Sequence, residues 1–251
     1  MQSNCSRTAR PVHIRCPTAV CSTNLGPPRT QQRNSESEVQ VMSDSKTLLQ
    51  PSDCALLLID QQAGLAFGVG SIDRQALLNN TIALARTAKV FGLPIVASTS
   101  ASKVYSGPLM AAIREVLPDI HPIERRNMNL WEDDAARTAV LQTGKRRLIV
   151  SGLLTEACVS FLVLSALQEG FDVFVVGDAC GGLTPVSHDL ALRRMSDAGA
   201  HMTSWIQVLL EFQRDWTRRE TYDGARSIVE THGGGYGIGL AYARDMIHPS
   251  P

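Results

Sequence analysis

Residues 146–170 read RRLIVSGLLTEACVSFLVLSALQEG, and this stretch decides the fold class. Arg146 and Arg147 lead into Leu148-Ile149-Val150, an apolar run too short for a helix and rich in β-branched residues, hence a buried strand. Ser151-Gly152 ends it. Thr155 is placed to cap a helix, and Glu156 puts an acid in its first turn. From Ala157 to Gln168 the chain is almost entirely apolar, which suits a helix buried on most sides, and Gly170 closes it. Cys158 therefore sits at the first turn of a helix, just past the C-terminal end of a strand, where an α/β protein places its chemistry. The helix dipole at that end favours thiolate over thiol.

Strand and helix alternate outward from this stretch in both directions. Upstream, an apolar strand at 54–59 ends at Asp60. A glycine-rich loop at 61–70 and an amphipathic helix at 72–91 follow. A second strand covers 93–99, a polar loop 100–107, a short helix 109–117 and a third strand 121–125. Asn129 is a candidate cap for a helix at 131–142. Downstream lie a strand at 172–178, a helix capped by Ser187 and running to 198, a short strand at 201–205 and a helix to Trp216. Alternation of this kind, with continuous apolar strands, predicts one doubly wound α/β domain over 51–216: a six-stranded, mostly parallel sheet flanked by helices. Residues 217–251 read as a helical tail broken by the glycine-rich 233–239, which packs on the domain or on a neighbouring subunit.

Residues 1–50 differ in character. They are rich in Ser, Thr, Asn, Gln, Pro and Arg without apolar periodicity, and read as a disordered extension. Basic residues without an acid before Glu36 resemble an organellar transit peptide. The segment has no convincing amphipathic helix, which favours translation starting at Met42. It has no apolar core of a secretory signal either.

Across the chain, Lys plus Arg and Asp plus Glu balance at 24 each, so no basic field exists to hold nucleic acid. The longest apolar runs fall short of the ~20 residues a membrane helix needs. Six cysteines occur, with no CxxC and no metal-ligand spacing with histidine. The expectation is an intracellular, cytoplasmic protein with reduced thiols, no cofactor and no metal.

In a parallel sheet the C-terminal strand ends share one rim. Asp60, Arg125 and Cys158 fall there: a base, a cation and a nucleophile. A thiol is mostly protonated near neutral pH, and a helix terminus and a cation lower its pKa. A carboxylate takes the proton and returns it to a leaving group. Backbone N–H groups at the turn hold an oxyanion. The rival readings are ordinary ones: a buried structural cysteine, a loop-capping aspartate and a surface arginine pair with Arg126. Cys180 also follows a strand but precedes a loop, which makes it the weaker nucleophile. The glycine run at 233–239 does not follow a strand and is not a dinucleotide loop.

These residues resemble a known family. Leu57-Leu58-Ile59-Asp60-Gln61-Gln62, Ile123-x-Arg125 with Asn129-x-Trp131, Gly152-Leu153-Leu154-Thr155-Glu156-Ala157-Cys158, Glu169-Gly170-Phe171-Asp172-Val173 and Gly177-Asp178-Ala179 are similar to motifs of the isochorismatase-like cysteine hydrolase superfamily, in its YcaC-like branch. The resemblance implies a triad of Asp60, Arg125 and Cys158, and a cis peptide at Leu153–Leu154. It also implies an oxyanion hole from the N–H groups of Leu154 and Cys158, and a homo-oligomer. Gln61, Asn129 and Thr155 are the expected contacts to a small-molecule substrate. The basic triad position is lysine in most of the superfamily, and here it is arginine, which cannot relay a proton. Without histidine in the 98–107 segment a nicotinamidase-type metal site is not expected. The implied activity is hydrolysis of a carbon–nitrogen bond through a thioester. The alternatives are an oligomeric binding or scaffold protein, or a thiol redox sensor, on the same fold.

Overall fold

The computed structural model describes residues 48–247, so the expectations for the N-terminal extension and the Met42 start lie outside the described residues. Six strands, β1 (Cys54–Ile59), β2 (Ile95–Ser100), β3 (Ile123–Arg125), β4 (Arg147–Gly152), β5 (Asp172–Val176) and β6 (His201–Thr203), form one sheet in the order β3-β2-β1-β4-β5-β6. Every pairing is parallel. The chain winds outward from β1 to β3, returns to the middle as β4, and winds out the other way. The strand order therefore reverses between β1 and β4, and a doubly wound sheet opens its crevice at that point.

Alternation along the central strands sends side chains to two cores. Leu56, Leu58, Ile149 and Phe174 face α2 (Arg74–Val90), α7 (Trp205–Gln213) and α8 (Arg219–His232). Leu57, Ile59, Leu148, Val150 and Val175 face α4 (Asp134–Gln142), α5 (Ser160–Gln168) and α6 (Pro185–Asp197). Each fully buried leucine is worth about 1.5–3 kcal/mol. Every residue of β1 and β4 is buried, as parallel central strands require.

Local chemistry shifts several expected boundaries. β2 runs to Ser100 and β4 to Gly152, because Ser151 and Gly152 still pair with Leu58 and Ile59. Gly152 is needed there: a Cβ would lie 2.4 Å from the Ile59 carbonyl oxygen. α2 begins after Asp73, whose carboxylate accepts from the Ala76 N–H at 2.9 Å. Two caps move. α6 is capped by Thr184 in a capping box, with Ser187 as the reciprocal partner and Pro185 in the first turn. Asn129 caps only the single turn Leu130–Glu132, and Asp133 starts α4. β6 ends at Thr203, since Ser204 caps α7.

The tail forms α8 and α9 (Gly235–Ile247), so the break is confined to Gly233 and Gly234. α8 packs on α2, where a Cβ on Gly224 would lie 2.9 Å from Val90, and it buries Ala225, Ile228 and Val229. α9 rests on α8 through Gly237, whose Cβ would lie 2.4 Å from the Val229 carbonyl oxygen. Among the described residues no helix is long and apolar enough to cross a membrane.

Candidate active site

The crevice between β1 and β4 holds the three groups that the strand ends bring together. Asp60 follows β1 with φ at +51°, an uncommon conformation for a residue with a side chain. It is held by its N–H on the Ser98 carbonyl at 3.0 Å, while the Leu153 N–H takes the Ile59 carbonyl at 3.0 Å. Asp60 is fully buried. Its Oδ2 accepts from Nη2 of Arg125, the last residue of β3, in a pair with both side chains buried.

Every other arm of that guanidinium is also engaged. Nε donates to Ser98 Oγ at 3.1 Å, and Nη1 to the carbonyls of Asn127 and Met128. Arg125 is thus a fixed cation that holds one carboxylate oxygen. The other, Oδ1, is buried without a hydrogen bond of ordinary geometry. The groups that bear on Asp60 are Arg125, the Cys158 thiol and Ser100. Burial pushes its carboxyl up, and Arg125 together with the two neighbouring donors pulls it back in part.

Cys158 reaches the same place from β4. The Leu153–Leu154 peptide is cis, and a single π-helical turn, Thr155–Val159, precedes α5. Cys158 is 8% exposed. Burial first, and the Asp60 charge second, push its thiol up to about 11, against the opposing pull of Arg125. This corrects the expectation of a thiol lowered by the helix terminus and the cation: at this depth desolvation outweighs both. The resting site holds a protonated thiol beside Asp60. Among the described residues the Leu154 N–H donates no hydrogen bond, and it lies four residues before the sulfur.

The three residues expected to contact substrate each hydrogen-bond within the protein. Gln61 is fully buried, and its Nε2 donates to Ser151 Oγ at 2.9 Å and the Ala179 carbonyl at 3.0 Å. Asn129 accepts from Trp131 N–H at 3.1 Å and donates to Glu132 Oε1 and Ser165 Oγ. Thr155 does not cap α5. Val159 occupies that position, Leu154 stands before the π-turn, and Thr155 Oγ1 bonds His188 Nδ1 at 2.8 Å. All three side chains are buried and hydrogen-bonded within the protein, while Gln61 Oε1 is buried without a partner.

The neighbouring side chains tie the loops of the rim together. Gln62 spans Ser100 and Gly107, accepting from the Ser100 N–H at 3.0 Å and donating to both carbonyls. Glu156 Oε1 accepts from the Leu183 N–H at 2.9 Å and Ser187 Oγ at 3.1 Å, fastening the 181–187 segment to the π-turn. Ser98 and the carbonyls of Asn127 and Met128 were not read from the sequence. The available signal was the run Ser98-Thr99-Ser100, which ends an apolar strand in hydroxyls. Among the described residues the other thiols are Cys54 and Cys180, both fully buried, and burial pushes Cys180 up to about 12.

Comparison with known proteins places the chain in a family. Residues 54–207 match the family model of the isochorismatase domain. The chain is 40% identical over 185 residues to the probable hydrolase YcaC of Escherichia coli K12, covering 73% of this chain and 88% of that protein. Among solved structures, YcaC from Pseudomonas aeruginosa, with hexane-2,5-diol and covalent acrylamide, superposes at TM-score 0.75 with 39% identity, over 79% of this chain and 98% of that one. The Escherichia coli YcaC gene product, an octameric hydrolase of unknown specificity, does so at 0.76 with 40% identity, over 80% and 98%.

Proposed function

The chain belongs to the isochorismatase family of hydrolases, and we propose that it cleaves the carbon–nitrogen bond of a small amide through a thioester on Cys158. The observation that carries this reading is the convergence of Asp60, Arg125 and Cys158, from three strand ends, on one buried cluster. Asp60 takes the thiol proton as the sulfur attacks the carbonyl carbon. The oxyanion is held by the N–H groups of Leu154 and Cys158. Asp60 returns the proton to the departing amine, and then activates the water that hydrolyses the thioester.

A thiol pushed up to about 11 fits this order of events, since it ionises only as its proton passes to Asp60. Arg125 relays no proton: its N–H donors are spent on Asp60, Ser98 and two carbonyls, so it holds the carboxylate in place. The covalent acrylamide in the Pseudomonas aeruginosa relative supports a nucleophile in this family that attacks electrophilic small amides. The octameric state of the Escherichia coli relative supports a homo-oligomer here.

The test is amine release from a panel of small amides, hydroxamates and ureides. Wild type is expected to hydrolyse at least one of them and Cys158→Ala none. Equal turnover by both would overturn the reading.

A further inference from the structure

Behind the sheet edge opposite the catalytic rim, α2, α3 (Ala111–Val116) and the C-terminal end of α8 line an open surface cavity of about 490 Å³. Ile82, Val90 and Val116 form its apolar wall, Arg86, Lys89 and His232 its polar side, with Glu115 also on the lining. On α2, residues 82, 86, 89 and 90 share one face, by helical spacing. Arg86 lies 13 residues beyond Asp73, roughly 20 Å along the helix from the catalytic end.

The two cations here are unusual in their partners. Arg86 Nη1 lies 3.2 Å from His232 Nε2. Nδ1 of that imidazole meets Asn79 Oδ1 at 2.8 Å, while Asn79 Nδ2 donates to the His232 carbonyl at 3.1 Å. An acceptor on one side and a donor on the other fix a neutral ring: Nδ1–H donates to Asn79 Oδ1, and Nε2 accepts from Arg86. A half-buried guanidinium therefore uses a neutral imidazole where a carboxylate would ordinarily sit. Lys89 Nζ donates only to the Val116 carbonyl, at 3.2 Å. Among the described residues neither Arg86 nor Lys89 has a carboxylate within salt-bridge distance. Glu115 offsets one of the two charges at longer range and leaves one in excess.

We propose that this cavity is a second binding site, separate from the catalytic crevice, for a small aliphatic monocarboxylate. Its head lies between Arg86 and Lys89 and its hydrocarbon against Ile82, Val90 and Val116. The volume is in the range of small-ligand pockets, and the mixture of apolar wall and convergent donors is what such pockets use. Arg86 supplies its unused guanidinium N–H groups in a fork that matches a carboxylate. The single excess charge and the presence of Glu115 favour a monoanion over a dianion.

Titration calorimetry on full-length Cys158→Ala, in which the nucleophile is absent, tests the site with butanoate, butan-1-ol and inorganic phosphate as probes. Butanoate is expected to bind with a dissociation constant of about 1 mM or below, and butan-1-ol and phosphate at least about tenfold more weakly. Adding Arg86→Gln should weaken butanoate about tenfold or more, and adding Lys89→Gln about threefold. Adding Arg193→Gln, an exposed cation on α6, should change nothing. Lys89 is exposed, so its substitution leaves the fold intact and keeps the test decisive if Arg86→Gln unfolds. Absence of saturable butanoate binding, equal binding of butan-1-ol, or undiminished binding in both Arg86→Gln and Lys89→Gln would overturn the proposal.

Discussion

Cys158 and Cys180 follow neighbouring strands, β4 and β5, and both belong to the same apolar core cluster. Burial raises both thiols, to about 11 and about 12. Their pKa values do not separate a reactive sulfur from an inert one. What separates them is company and access. Cys158 is partly exposed in a crevice, with a carboxylate beside it that the proposed mechanism uses as proton acceptor and a guanidinium that fixes the carboxylate. Cys180 is fully enclosed, and the acid that bears on it, Asp178, has its Oδ1 engaged by the Trp205 N–H at 2.9 Å. A nucleophile here is defined by a proton acceptor at hand, not by a depressed resting pKa.

The largest effect follows directly. Cys158→Ala should lower kcat on any amide substrate by about 10⁴-fold or more, whereas Cys180→Ala should leave kcat within about twofold and cost about 1 kcal/mol in thermal unfolding. A collapse of activity in both variants would erase the distinction. Asp60→Asn removes the proton acceptor and should lower kcat by about 10²–10⁴-fold. It also leaves the buried Arg125 charge uncompensated, so a loss of about 3–5 kcal/mol in stability is expected from denaturant titration.

Arg125→Lys keeps the charge but gives up the geometry that bonds Asp60, Ser98, Asn127 and Met128 at once. About tenfold in kcat, an unchanged KM and about 1–3 kcal/mol of stability are the expected losses. If Arg125 bound substrate directly, KM would rise instead. The smallest effect is a matter of pH. Only thiolate reacts with iodoacetamide, and a raised pKa keeps thiolate scarce, so Cys158 should alkylate about tenfold faster for each unit from pH 7 to 9. Cys180 should stay unmodified while the protein is folded. A rate that levels off below pH 8 would mean a lowered Cys158 pKa, contrary to the burial argument.

The alternation of apolar strands and amphipathic helices was legible because period and punctuation are local properties. The strand ends that carry Asp60, Arg125 and Cys158 followed from it, because all strands of a parallel sheet point the same way. Three kinds of detail were not legible. The caps of α4 and α6 depend on which of several nearby hydroxyls and carboxylates wins, and Asp133 and Thr184 won over Asn129 and Ser187. The π-turn at Thr155–Val159 replaces the expected N-cap by Thr155, whose hydroxyl is drawn to His188 from a different helix. Gln61 and Asn129 sit beside motif residues, yet burial turns their amides inward, a long-range outcome without a local signature. The sign of the Cys158 shift was misjudged for the same reason: the helix terminus is visible in sequence, and the depth of the sulfur is not.

The most direct test of the account is to stop turnover of a hydrolysed amide with acid and measure the mass of the peptide that contains Cys158. The account predicts an acyl increment on Cys158 that appears before steady state and is absent in Cys158→Ala. An increment on Cys180, or hydrolysis with no covalent intermediate on either thiol, would contradict it.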